Sequence, residues 1–281
     1  MVGIFGIVNL TRDSFSDGGR FLDPAAAIAQ ALQLHAFGAD VLDVGAESTH
    51  PDAEDVPAAE EIRRLRPVVE ALVARGIPVS VDTCKPEVMR AMVVTGVRWL
   101  NDVAGFRSAP AMEVVAMAAS TPGIRFCAMF ARNAEPRASR SSVGTLGLLD
   151  EIRAFCRERI AAFAAVGVDR DRLVLDPGMG FFLGRDAAPS LHVLAGLGEL
   201  QREFGPLLVS VSRKSFVGEV TGAPVAERGP GTLAAELWAA RQGVTWLRTH
   251  DVTALRAALA VEQAIAGATS GLPGEKRPAT G

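Results

Sequence analysis

Short apolar, β-branched runs alternate along this 281-residue chain with longer stretches whose apolar residues recur at helical spacing. Runs of the first kind read as strands, and a 3.6-residue recurrence reads as amphipathic helix. The pattern predicts strands over Gly3–Val8, Asp40–Val44, Ile77–Asp82, Arg98–Asp102, Arg125–Met129, Arg172–Asp176, Leu207–Val211 and Thr245–Thr249. Between them it predicts helices over Pro24–Phe37, Ala58–Arg75, Pro86–Thr95, Ala109–Ala118, Leu149–Val166, Ser190–Phe204, Thr232–Gln242 and Val252–Ala266. The Asp23-Pro24 and Lys85-Pro86 pairs mark helix starts, because the first helical position needs no intrahelical N–H. Gly38, Gly76, Gly96, Gly167 and Gly243 fall where a left-handed residue would close a helix.

About eight strand–helix units, each of roughly 30 residues, predict a closed parallel barrel of the α/β class, the TIM (β/α)8 architecture. An open doubly wound sheet has the same periodicity and stays as the alternative. No low-complexity linker divides the chain, so residues 1–266 are expected to form one domain. Periodicity ends at Gly267, which makes 267–281 an expected flexible tail. Hydrophobic residues make up 49% of the chain, enough for one large core. Lys and Arg total 29 against 32 Asp and Glu, a net charge of −3 that offers no basic excess for nucleic acid. Cys84, Cys127 and Cys156 form no CxxC and leave an odd count, so they read as small hydrophobes rather than a disulfide or zinc framework. No basic leader or cleavage site follows Met1, and no apolar run reaches the about 18 residues of a membrane span. The expectation is a soluble, cytoplasmic protein.

In a parallel barrel the loops after the strands' C-terminal ends build the site. Those positions are densely polar here. The first strand runs into Asn9, the second carries Asp43, the third ends at Asp82 and the fourth at Asn101-Asp102. The sixth ends at Asp176, the seventh leads to Ser212-Arg213-Lys214, and the eighth delivers Arg248 and His250. Such groups are costly in a core without partners, although Asp102 and Asp251 could be helix caps and Asp176-Pro177 could open a turn. Asp82, Asn101 and Asp176 suit a flat, N–H-rich heterocycle such as a pterin or purine, since a guanidine-like edge pairs with one carboxylate through two charge-assisted bonds. Lys214 offers a point charge, and Arg248 can stack on a ring or fork onto phosphate. Asn9, Thr49, Arg248 and His250 suit a phosphorylated leaving group, and Mg²⁺ fits with it because its oxygen ligands are often mostly water and phosphate. The polar loop Asn9–Gly19, with Phe15 in its middle, reads as a lid, and Glu47–Asp52 lies where it could meet it.

Seven segments, taken in order, carry a resemblance. They are Asn9-Leu-Thr-Arg-Asp-Ser-Phe-Ser-Asp-Gly-Gly19, Asp43-Val-Gly-Ala-Glu-Ser-Thr49, Ser80-Val-Asp-Thr83, Asn101-Asp102, Asp176-Pro-Gly-Met-Gly180, Ser212-Arg-Lys-Ser215 and Arg248-Thr-His-Asp251. Together they resemble dihydropteroate synthase of folate biosynthesis, from about Val2 to Ala266. The resemblance implies a TIM-barrel transferase that joins 6-hydroxymethyl-7,8-dihydropterin diphosphate to p-aminobenzoate and releases pyrophosphate. It implies catalytic roles for Asp82, Asn101, Asp176 and Lys214. These four would hold the pterin, with Met129 packing on it and Arg248 stacking over it. It places Asn9 at Mg²⁺ and the diphosphate, Thr49, Arg248 and His250 on phosphate oxygens, and Ser212, Phe181 and Thr49 around the aminobenzoate. It also implies a homodimer.

Three departures stand out: His50 where an arginine is usual, Phe130 after Met129 where a histidine is usual, and Phe182-Leu-Gly184 after Phe181 where a Gly-Lys pair is usual. These resemble the mobile-element, sulfonamide-insensitive synthases and suggest a bulkier wall on the aminobenzoate side that rejects the longer drug. A pterin-binding methyltransferase domain and a noncatalytic paralogue remain the alternatives.

Overall fold

The computed structural model describes residues 2–10, 23–48, 53–132 and 144–270. Thr49, His50, most of the lid loop with Phe15, and the chain from 271 lie outside the described residues. The strands are β1 (Gly3–Asn9), β2 (Val41–Gly45), β3 (Val79–Asp82), β4 (Trp99–Asp102), β5 (Arg125–Met129), β6 (Leu173–Asp176), β7 (Leu208–Val209) and β8 (Trp246–Thr249). The helices are α1 (Pro24–Ala36), α2 (Ala58–Val73), α3 (Pro86–Thr95), α4 (Ala109–Ala119), α5 (Leu148–Ala165), α6 (Ala187–Phe204), α7 (Ser215–Thr221), α8 (Gly229–Arg241) and α9 (Val252–Ser270). All ladders are parallel, in the order β6-β5-β4-β3-β2-β1-β8-β7. A bridge between Leu175 and Leu207 joins β6 to the segment entering β7, which resolves the choice between barrel and open sheet in favour of the TIM barrel.

The expected helix signals do their work locally. The Asp23 carboxylate accepts the Ala25 N–H at 3.3 Å beside Pro24, and Ser108 accepts from Ala111 at 3.3 Å to start α4. The five helix-closing glycines all have positive φ, from 73° at Gly76 to 100° at Gly38. Asp102 caps no helix; it accepts the N–H groups of Ala104 and Phe106 and closes a turn after β4. Asp251 does cap α9, accepting from Ala254 at 3.0 Å. Several boundaries differ from the sequence pattern: α6 and α8 each start three residues earlier, β7 shrinks to Leu208–Val209, and α9 runs four residues past Ala266. Helix α7 escapes the pattern altogether, since seven residues are too few for a 3.6-residue recurrence to register.

The strand alternation separates two apolar compartments. Ile4, Val8, Leu42, Val44, Val81, Leu100, Phe126 and Leu175 face the helices, in one cluster. Phe5, Val41, Trp99, Cys127, Val174 and Leu208, with Trp246 against them, form a second cluster that fills the barrel's lower lumen. Phe5, Trp99 and Trp246 meet edge to face with centroids 5.1–5.4 Å apart, the arrangement aromatic quadrupoles favour. Two residues further along each strand the lumen changes character: Val41 gives way to Asp43, Trp99 to Asn101, Cys127 to Met129, Val174 to Asp176, and Trp246 to Arg248. A period of two keeps these pairs on one face. The barrel is therefore plugged by hydrocarbon at its base and polar at its mouth.

The plug depends on one absent side chain, because a Cβ on Gly3 would lie 2.2 Å from the Trp246 ring. Gly3→Ala should destabilise the fold by about 2 kcal/mol in urea denaturation, as overpacking does. Trp246→Leu should lower that penalty when the two are combined, and full additivity in the double mutant would contradict this contact.

Candidate active site

The mouth is organised around Arg248, delivered by β8 opposite Phe5 of β1. Its Nε donates to Asp43 Oδ2 at 2.5 Å and its Nη2 to Asp82 Oδ2 at 2.7 Å. One guanidinium thus spans from β8 across β1 to the middle of β2 and the end of β3. Asn101 adds a 3.3 Å bond from its amide to the same Asp43 oxygen, while Asp43 Oδ1 is buried with no hydrogen-bond partner. Burial is the largest influence on Asp82 and pushes its pKa up to about 7, against the pull of Arg248 and with a further push from Asp43.

Asp176 ends β6. Its Oδ1 accepts the Gly178 N–H at 2.7 Å, a side-chain turn that Asp176-Pro177 foreshadowed. Gly178 has φ 75°, and a Cβ there would stand 2.2 Å from the Phe130 carbonyl oxygen, so only glycine fits. Burial raises the Asp176 pKa to about 6, against that backbone bond and the attraction of Lys214 and Arg248. Lys214 is the N-cap residue of α7, its Nζ 5.2 Å from the centre of the Phe182 ring. Burial first, and then repulsion by Arg248, lower it to about 8.

Ser212 and His250 face each other across β7 and β8. Ser212 Oγ accepts the His250 N–H at 3.2 Å and lies 2.9 Å from His250 Nδ1. Burial and the cations Arg213, Arg248 and Lys214 hold the imidazole down to about 3, so it is neutral near pH 7. The pair is satisfied most simply by the serine hydroxyl donating to Nδ1, which puts the ring proton on Nε2.

These groups surround a cavity of about 540 Å³. Asn9, Asp82, Ser212, Lys214, Arg248 and His250, which the strand-end pattern puts at the mouth, line it, together with Phe181, which the resemblance puts there. Asn101, Met129 and Asp176 sit just beneath the rim, each 5% exposed and none on the cavity wall. Thr49 lies outside the described residues. Arg248, read as a ring-stacking or phosphate-binding group, lines the cavity and in addition has carboxylate partners on its Nε and Nη2. One expectation changes. Phe130 is no part of the wall: its ring is buried in the helix-side core, 5.6 Å from Phe155. Among the rest, Asp43 was visible as a polar strand residue but had no assigned partner. Glu47, joined to Lys85, which also bonds Glu61 at 2.9 Å, pins the start of the β2–α2 connection at the cavity edge. Arg228 also reaches the cavity edge, from a stretch of chain with no periodicity to signal it. The cysteines are unpaired, and burial pushes Cys84 and Cys156 up to about 12, as inert packing residues require.

The described residues contain no cluster of three His, Cys, Asp or Glu able to hold a metal by themselves, and no helix long and apolar enough to cross a membrane. What the fold and the mouth define is a (β/α)8 enzyme with a site for a polar heterocycle and an anion. The family model for pterin binding enzymes matches residues 5–250, and the chain belongs to that family. It is 47% identical over 263 residues to dihydropteroate synthase type-2 of Escherichia coli, covering 93% of this chain and 95% of that protein. Dihydropteroate synthase type-3 of Escherichia coli is 44% identical, with 94% and 100% of the two chains covered. The Xanthomonas albilineans dihydropteroate synthase solved with 4-aminobenzoic acid superposes with a TM-score of 0.85 at 41% identity, covering 97% of this chain and 94% of that one.

Asp176→Asn keeps the acceptor for Gly178 and removes the ionisation. Since burial raises the folded pKa above the unfolded value, the protonated acid's contribution to stability is complete below about pH 4 and is lost as pH rises through about 6. The variant should therefore gain on the wild type between pH 4 and pH 7, by about 2–3 kcal/mol in urea denaturation. Parallel pH dependences would contradict the burial account.

Proposed function

We propose that this protein condenses 6-hydroxymethyl-7,8-dihydropterin diphosphate with p-aminobenzoate, giving 7,8-dihydropteroate and pyrophosphate, as a transferase of folate biosynthesis. The observation that carries the reading is the acidic and amide set of buried Asn101 and Asp176 with half-buried Asp82, beside Lys214 at the mouth of a family-matched barrel. A pterin's guanidine-like edge supplies donors to the carboxylates, and Lys214 supplies a donor to its ring carbonyl. Met129, clustered with Val103, Ala131 and Phe182, gives the ring an apolar face.

The C–O bond between the pterin methylene and the diphosphate breaks first, and the ring delocalises the resulting cation. Asp82 and Asp176 stabilise that cation, more strongly than they stabilise the neutral ground state, because they are fixed in a desolvated site. The aminobenzoate nitrogen then forms the C–N bond, and its surplus proton leaves to solvent. The neutral His250 offers an Nε2–H to the leaving diphosphate, while the turn that carries Ser212, ahead of α7, receives the aminobenzoate carboxylate through its backbone N–H groups. A resident Mg²⁺ fits this donor set only as an ion held largely by the diphosphate, with Asn9 as its protein oxygen, where it would neutralise the departing charge. The same reading makes the protein a cytoplasmic homodimer.

We also read the pocket as insensitive to sulfonamides. With Phe130 inside the core, the wall that excludes the drug is the Phe182-Leu-Gly184 segment after Phe181, whose Phe182 lines the cavity.

Mixing both substrates with Mg²⁺ should release pyrophosphate, and omission of p-aminobenzoate should stop product formation; a methyltransferase domain or a noncatalytic paralogue would release none. Asp82→Asn should lower turnover on the order of 100-fold. Full turnover with only pterin affinity changed would remove the cation-stabilising role. Sulfamethoxazole should inhibit this enzyme far less than it inhibits a synthase with Gly-Lys in place of Phe182-Leu-Gly184; equal inhibition would refute the wall.

A further inference from the structure

Helix α8 carries three polar side chains at four-residue intervals: Arg228 at its N-cap, Thr232 and Glu236. That spacing stacks them on one helical face. The face turns inward, for Thr232 and Glu236 are 5% and 2% exposed on a helix whose Trp238 is 46% exposed.

The upper end of this stripe grips the turn after β7. Arg228 Nη1 donates to the carbonyl oxygens of Arg213 at 3.0 Å and Lys214 at 3.4 Å, and its Nε donates to that of Ala223 at 3.2 Å. One guanidinium thus clamps the chain entering α7 to the chain leaving it. Gly218 makes room, since a Cβ there would lie 2.3 Å from that group. Thr232 Oγ1 accepts the Arg213 N–H at 3.0 Å. Arg213 has φ 57°, a left-handed conformation that a residue with a side chain holds only when its surroundings impose it. Here α8 holds both its N–H and its carbonyl.

The lower end grips the turn after β8. The Glu236 carboxyl shares a hydrogen bond with the Thr249 hydroxyl, whose oxygen also accepts the Asp251 N–H at 3.2 Å. His250 sits inside that turn, held from the cavity side by Ser212. Glu236 Oε1 is buried with no partner, a cost that a leucine at the same place would not incur.

We propose that Arg228, Thr232 and Glu236 are positioning residues. One helix face sets the Ser212–Lys214 turn through its first two members and the His250 turn through its third. The assignment of a substrate to each turn rests on the reaction proposed above, with aminobenzoate at Ser212 and diphosphate at His250.

Steady-state kinetics with both substrates test it. Arg228→Met keeps the aliphatic stem and loses the fork. It should raise KM for p-aminobenzoate on the order of tenfold and the pterin diphosphate KM by clearly less, since Lys214 on the same turn also meets the pterin. Arg228→Lys, which can still reach one carbonyl, should recover part of that loss. Glu236→Leu should show the reverse split, and Glu236→Gln, still able to accept the Thr249 hydroxyl, should restore it. Parallel rises in both KM values, or no change in either, would overturn the proposal. Amide exchange reads the same division without turnover: Arg228→Met should speed exchange in Val211–Ser215 and Glu236→Leu in Thr249–Asp251. Exchange that rises equally in both segments would overturn the brace. A wild-type protein that releases no pyrophosphate but keeps the divided exchange would refute the reaction and leave the brace standing.

Discussion

A single guanidinium between two carboxylates makes the mouth of this barrel possible. Taking one ion from water into a protein interior costs several kcal/mol even after relaxation. Asp43 is fully buried, and the side chains of Asp82 and Arg248 are each only 15% exposed. The three meet with N–O distances of 2.5 and 2.7 Å. Arg248 is held firmly charged by these partners, its pKa raised despite burial. Around it the other groups are pushed towards neutrality: Asp82 and Asp176 upwards, Lys214 and His250 downwards. The rim therefore has one fixed ion and several groups near balance, which a charged ligand can tip. Perturbed groups gathered in one cleft are what a site for acid, base or charge-stabilising chemistry requires.

Much of this was legible because a barrel strand obeys a period of two. Once the strands were placed, Asp82, Asn101 and Asp176 had to face inward at their C-terminal ends, and the structure puts them there. Other features depend on contacts that strand periodicity does not encode. The pairing of Arg248 with Asp43 crosses 205 residues of sequence and an intervening strand. Phe130 directly follows an inward residue, so its ring turns to the helices, and a substitution that looked like part of the cavity wall proves to be packing. Thr232 and Glu236 read as ordinary polar positions on an amphipathic helix until their partners on neighbouring turns are known. Arg228 and α7 were illegible for a simpler reason, since neither lies in a run long enough to repeat.

The division of the lumen explains how a charged mouth can be rigid. Phe5, Trp99 and Trp246 fill its base with interlocked rings, so the strands cannot shift relative to one another without opening that packing. Asp82, Asn101 and Asp176 stand at strand ends a few ångströms above, and their directions follow from the backbone rather than from loop conformation. Preorganised charge of this kind stabilises a transition state without reorganising as the reaction proceeds. Ser212, Lys214 and His250 lie beyond the strand ends, on turns that the lumen packing does not reach. Those residues need a second source of order. The hydrogen bonds from α8 to the two turns supply it from outside the barrel, so the base fixes the carboxylates and the helix layer fixes the serine, lysine and histidine.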